Sequence, residues 1–268
     1  MSGRIAATFA RLAAEKRAGF VPFVMAGDPD LGATRELLRA SADAGADLIE
    51  LGIPFSDPMA DGPVLQRSAE RALAAGTTLT SVLELVAEFR RDSAIPIVLF
   101  GYANPFLRYG AERLARDAVA SGADGLLCVD LPPEEADDLQ QATDAAGLDM
   151  IFLLAPTSDR SRIDRVRARA RGFVYFVSIT GTTGAAAADP EAIASMVDAV
   201  RTRVGLPVGV GFGITSPEQA RAIGRIADAV VVGSAVMRLV ETDPGPAFVP
   251  AARKFLHDLA VAVHAARG

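Results

Sequence analysis

Three carboxylates, Glu50, Asp57 and Asp61, fall in one short stretch, ELGIPFSDPMADGP, which runs from Glu50 to Pro63. Grouped acids can divide proton donation and proton removal between them. The rest of the chain offers few other groups for such work. Its two lysines, Lys16 and Lys254, lie toward the ends, and its two histidines, His257 and His264, stand in the last helical segment. The middle therefore has no lysine for a Schiff base and no histidine for acid–base or metal chemistry. Carboxylates, tyrosines, hydroxyls and backbone groups remain. The single cysteine, Cys128, excludes an internal disulfide and a multi-cysteine metal site. It stands in an apolar strand with no histidine nearby, as a core residue does.

Glu50 is near the end of an apolar run. Alternation through Asp47, Leu48, Ile49, Glu50 and Leu51 places it opposite Ile49 and Leu51. If those two face a helical layer, Glu50 faces an interior where ionisation is costly, so its carboxyl would keep a proton near neutral pH. The alternative is a pairing with an interior arginine. Asp57 and Asp61 lie on the loop that follows, with prolines at 54, 58 and 63. They can converge over Glu50, or they can simply form turns.

Something must hold these acids in place. Eight short apolar runs, at 20–25, 48–51, 95–100, 125–129, 150–154, 173–179, 207–210 and 229–232, alternate with helical patterns. Those patterns include 31–44, 80–91, 111–121, 133–146 and, last, 247–266. Continuously apolar strands separated by helices imply a parallel sheet buried on both faces. Eight such units predict an α/β (β/α)8 TIM barrel. The length of 268 residues suits one barrel domain spanning 1–268. An extra N-terminal helix with Ile5, Phe9 and Leu12 on one face precedes it. Three segments, at 44–52, 121–130 and 225–233, share an Ala-Asp step before an apolar strand. They suit either αβ-loop chemistry or an internal duplication. Ser216-Pro217-Glu218-Gln219 is a capping box, and Asp189-Pro190 another helix start. No apolar run reaches membrane-helix length and no secretory core is present, which suggests the cytoplasm. The net charge is −6 and no basic run occurs, so nucleic acid is not an expected partner.

Catalytic groups in such barrels sit where strands end. Glycine turns follow the last three strands: Gly181-Thr182-Thr183-Gly184, Gly211-Phe212-Gly213 and Gly233-Ser234, the last opening a short helix over 235–240. Backbone N–H groups and a helix dipole can hold a phosphate there without a lysine. Phe212 either packs on the rim or faces an aromatic ligand, and Tyr175 needs a partner for its hydroxyl if buried.

Together ELGIPFSDPMADGP, VPFVMAGDPD, GYANP, GADGLLCVDLPPEE, SITGTTGA, VGFGITSPEQ and VVGSAV resemble the tryptophan synthase α subunit family, in that family's order. The resemblance implies tryptophan biosynthesis by retro-aldol cleavage of indole-3-glycerol phosphate to indole and glyceraldehyde 3-phosphate. It makes Glu50 the acid–base group and Asp61 the partner of the indole N–H. It makes Gly184, Gly213, Gly233 and Ser234 phosphate ligands, Phe212 a pocket wall, and Tyr175 and Thr183 neighbours of the substrate. It also implies docking on a β subunit as an αββα heterotetramer, through loops around 54–61, 104–106 and 130–133, with Asp57, Pro58, Asn104, Asp130 and Pro132 at the interface. Pyridoxal phosphate would belong to that partner, and no metal or cofactor to this chain. Two departures are the plain stretch 185–188 and Gly101, where a bulkier residue is expected. Rival readings are another phosphate-binding barrel, a stand-alone lyase releasing indole, and a non-catalytic subunit that activates its partner.

Overall fold

An apolar strand can bury both faces only if its sheet closes or is clad in helices, and here both happen. The structure, a computed structural model, describes residues 3–177, 190–211, 213–243 and 248–267. Eight parallel strands form a closed barrel in chain order: β1 (Gly19–Met25), β2 (Ile49–Gly52), β3 (Ile97–Gly101), β4 (Gly125–Cys128), β5 (Asp149–Leu154), β6 (Val174–Val177), β7 (Val208–Gly211) and β8 (Ala229–Val232). β8 closes on β1 in the register Gly19↔Ala229 to Pro22↔Val232. The helices are α1 (Arg4–Ala14), α2 (Leu31–Ala44), α3 (Pro63–Ala74), α4 (Leu79–Phe89), α5 (Ala103–Tyr109), α6 (Ala111–Ser121), α7 (Asp137–Ala146), α8 (Arg160–Arg169), α9 (Pro190–Val204), α10 (Pro217–Gly224), α11 (Ser234–Thr242) and α12 (Phe248–His264). Among the described residues no single helix is long and apolar enough to cross a membrane.

Alternation along each strand splits the apolar residues between two cores. Ile49, Leu51, Leu99 and Leu126 join the layer between barrel and helices. Val21, Leu48, Val98, Leu127, Ile151 and Val231 fill the barrel itself. The expected face of α1 closes the barrel from below: Ile5, Phe9 and Leu12 are buried in the inner core, and the Phe9 ring lies 5.5 Å from that of Phe173.

The repeated Ala-Asp step is αβ-loop chemistry. Asp47 accepts the N–H of Phe20 at 3.0 Å, Asp124 that of Ile97 at 2.9 Å and Asp228 that of Val208 at 2.9 Å. Each aspartate thus ties the start of its own strand to the start of a neighbouring one. Arginines hold all three: Arg17 on Asp47, Arg90 on Asp124 and Arg201 on Asp228.

Four local expectations shift. Gly62-Pro63 starts a helix: Gly62 is the N-cap of α3 and Pro63 its first residue, where a missing N–H costs nothing. Residues 104–106 are helical, because Pro105 falls in the first turn of α5 and is tolerated there. α7 begins at Asp137 and not at 133, since Pro132 and Pro133 lead instead into a turn closed by Glu135 N–H on the Pro132 carbonyl at 3.0 Å. The Ser216 cap of α10 forms, but the Gln219 side chain accepts from Thr215, one residue earlier than the box requires.

Candidate active site

Glu50 occupies the second position of β2, between Phe23 of β1 and Val98 of β3. Its neighbours Ile49 and Leu51 pack outward, so its side chain enters the barrel. It is 1% exposed. Its Oε1 has no hydrogen-bond partner among the described residues, so the interior-arginine alternative does not hold. Burial alone raises its carboxyl from 4.5 to about 8. At neutral pH the group is a carboxylic acid.

Asp61 ends the loop from β2 and immediately precedes the N-cap of α3. The Tyr102 hydroxyl, just beyond β3, donates to its Oδ2 at 3.0 Å. The same hydroxyl oxygen accepts the Ala60 N–H at 3.2 Å, and the Phe55 ring lies 5.3 Å from that of Tyr102. Burial pushes Asp61 up to about 6 while the Tyr102 hydrogen bond pulls it down. At pH 7 Asp61 is mainly ionised and Glu50 mainly protonated. Environment therefore separates the two acids into donor and anion.

Both acids line one cavity of about 260 Å³ at the C-terminal mouth of the barrel. Phe23 and Phe100 form its apolar wall, edge to face at 5.1 Å. Tyr175 enters from β6. A Cβ on Gly211 of β7 would fall 2.0 Å from the Tyr175 Oη, so only glycine leaves room for that ring. Gly213, with φ +70°, and Gly233 and Ser234 line the cavity as well. Gly233 caps α11 without a side-chain hydrogen bond, and no acidic residue stands in that helix's first turn. The N-terminus of α11 thus faces the cavity, and backbone N–H groups in that position can receive an anion. A larger hollow of about 610 Å³ at Asp164, Arg167 and Arg203 is a surface feature, and there Arg203 and Asp164 pair with each other at 2.6 Å.

The rim residues divide. Asp57 is exposed, takes the Ser56 hydroxyl at 2.5 Å and does not line the cavity, so two carboxylates converge and not three. Pro58 is half-buried beside Met59, which is 92% exposed. Asn104 is exposed on α5, and Asp130 accepts the Ala103 N–H at that helix's start at 2.7 Å. Pro132 opens the turn before α7. Cys128 is buried, its thiol pushed up by burial and by Asp130, as suits a core residue. Thr183, Gly184, Phe212 and the stretch 185–188 lie outside the described residues. Among the described residues no group of three or more His, Cys, Asp or Glu side chains could hold a metal ion.

Sequence reasoning missed Phe23, Phe100, Tyr102 and Arg238. Alternation from Val21 puts Phe23 inside, and the same rule from Val98 puts Phe100 inside, so a signal existed for both. Arg238 is four residues from Ser234, on one face of α11. Tyr102 gave no local signal, because its partners lie on another loop.

A family profile described as tryptophan synthase alpha chain matches residues 9–259. The tryptophan synthase alpha chain of Geobacter sulfurreducens is 55% identical over 238 residues, 89% of this chain and 90% of that protein. That of Burkholderia pseudomallei is 53% identical over 264 residues, 98% of this chain and 97% of that protein. The crystal structure of the tryptophan synthase subunit alpha from Legionella pneumophila superposes with a TM-score of 0.92 at 36% identity, covering 98% of this chain and 99% of that one. Sequence and structure agree along almost the whole chain, which therefore belongs to the tryptophan synthase alpha chain family.

Proposed function

We propose that the mouth cavity cleaves indole-3-glycerol phosphate with Glu50 as the acid–base group and Asp61 as the anion facing the indole N–H. Membership of the family makes the chain a lyase of tryptophan biosynthesis that performs this half-reaction. The observation that carries the residue roles is the unpartnered, protonated Glu50 beside an ionised Asp61 in one cavity.

The chemistry follows from those protonation states. Glu50 gives its proton to indole C3, and the positive charge that develops on the ring nitrogen is met by Asp61. The glycerol hydroxyl next to the ring then loses its proton, with Glu50, now a carboxylate, as the base within reach. The C3–carbon bond breaks, its electrons restore the indole, and the glycerol carbon becomes the aldehyde of glyceraldehyde 3-phosphate. The ring is its own electron sink, so no Schiff base is required. Phe23, Phe100 and Tyr175 hold the planar ring. Gly184, Gly213, Gly233 and Ser234 bind the phosphate, Thr183 stands near the substrate, and Phe212 completes the indole wall.

The whole chain acts as one barrel domain in the cytoplasm. A β subunit docks on the rim formed by Asp57, Pro58, Asn104, Asp130 and Pro132, in an αββα assembly that passes indole directly. The exposed Met59 on the same loop supports an apolar contact there. Pyridoxal phosphate belongs to that partner. In this chain the cavity is lined by no lysine among the described residues.

Indole release from indole-3-glycerol phosphate, measured with the chain alone and with a β subunit, tests the reading. Release in either case is expected, and Glu50→Gln should lower it by ~2–4 orders of magnitude. Near-normal turnover in that variant would remove Glu50 from the chemistry. Fast release without a β subunit would mark a stand-alone enzyme.

A further inference from the structure

We propose that Arg238 is a binding residue for the substrate's phosphate, supplying the full positive charge that the glycine turns and helix dipole lack. The inference rests on the phosphate reading of the β7 and β8 ends. It adds a side chain to a site so far composed of backbone groups and one serine.

Arg238 lines the same cavity as Glu50, Asp61, Gly213 and Ser234, and it is the one cation among the described lining residues. The cavity needs such a charge. Its acids are Glu50 and Asp61, and the latter is mainly ionised at pH 7. A phosphate dianion entering beside that charge meets repulsion that a helix N-terminus, equivalent to roughly half a charge, offsets only in part.

The structure also keeps Arg238 available. Its guanidinium forms no ion pair among the described residues. The natural partner would be Glu241, three residues on along α11. Glu241 is held instead by Arg67 and lies 3.9 Å from Arg71, both on α3. Arg71 in turn donates twice to the buried Asp28, at 2.7 Å each, and Ser68 donates to the same carboxylate. The network fixes α11 against α3 and directs the short ion-pair contacts of Glu241 to α3, which leaves Arg238 only a longer-range attraction to that carboxylate. Arg238 stands one turn beyond Ser234 on the same helix face. A phosphate on the Ser234 end of α11 is within the reach of an extended arginine, whose planar fork suits two phosphate oxygens.

Steady-state kinetics of the full chain, with inorganic phosphate as a competing probe, test the inference. Arg238→Gln should raise KM for indole-3-glycerol phosphate and the inhibition constant of phosphate together, each by about tenfold, with kcat changed far less. Arg238→Lys should recover part of both, because it restores the charge without the fork. Arg238 is exposed and forms no ion pair among the described residues, so both variants should melt close to the wild-type temperature. If phosphate competes in the wild type and Arg238→Gln leaves both constants unchanged, Arg238 is not a phosphate ligand, though the turns remain one. A fall in kcat with KM unchanged would likewise overturn the assignment. If phosphate does not compete in the wild type at all, the phosphate site itself is misplaced and Arg238 falls with it.

Discussion

Glu50 is a costly residue to bury, and the cost has a sign. In an unfolded chain it titrates near 4.5, and in the fold at about 8. With the folded value raised, its favourable contribution is complete below about pH 4.5 and is lost as pH climbs through about 8. At pH 7 the fold retains a proton that the unfolded chain has released, a penalty of about 3 kcal/mol. Glu50→Gln is neutral in both states and should stabilise the chain by about 1–3 kcal/mol at pH 7, the lower end allowing for the buried amide's own unmet hydrogen bonds. Urea denaturation at about pH 5 and pH 8 measures this. Identical pH dependence in wild type and variant would show that Glu50 carries no such penalty. The position of Glu50 was legible from five residues of alternation on the condition that Ile49 and Leu51 face the helices, which they do. Asp61 was not legible by itself, because Asp-Gly-Pro is also how a helix begins, and α3 does begin there.

At the scale of elements, the mouth is held together by contacts between loops. Tyr102 joins the end of β3 to the loop after β2, and Asp130, after β4, caps α5, after β3. Tyr102→Phe removes a donor that favours ionised Asp61, so the Asp61 carboxyl should rise further. If turnover needs Asp61 ionised, the acid limb of the rate profile, set near pH 6 by Asp61, should move up by roughly one pH unit. A limb that stays in place would mean that this hydroxyl does not set the charge of Asp61. All eight strands were read, with ends within one or two residues where the structure describes them, because apolar runs of that length have one environment in a helix-clad parallel sheet. α3 and α5 escaped notice because prolines at 63 and 105 read as loop punctuation, whereas a first helical turn tolerates them. The Tyr102–Asp61 bond had no signature, since its partners are 41 positions apart and meet only when the barrel closes.

For the whole molecule, closure is what makes the site work. α1 seals one end of the barrel with Ile5, Phe9 and Leu12, and the inner core fills the middle. Among the described residues, the cavity that holds Glu50 lies at the mouth, where Phe23 and Phe100 stand. A family resemblance gave the reaction. The barrel supplies the reason that one acid of a pair stays protonated. The most direct test is isotope-edited infrared spectroscopy of the carboxyl groups, taken as the difference between wild type and Glu50→Gln across a pH series. A protonated Glu50 band that persists through neutral pH and disappears near pH 8 is the expected result. Disappearance near 4.5 would contradict it, and Glu50 would then be an ordinary carboxylate unable to donate the first proton.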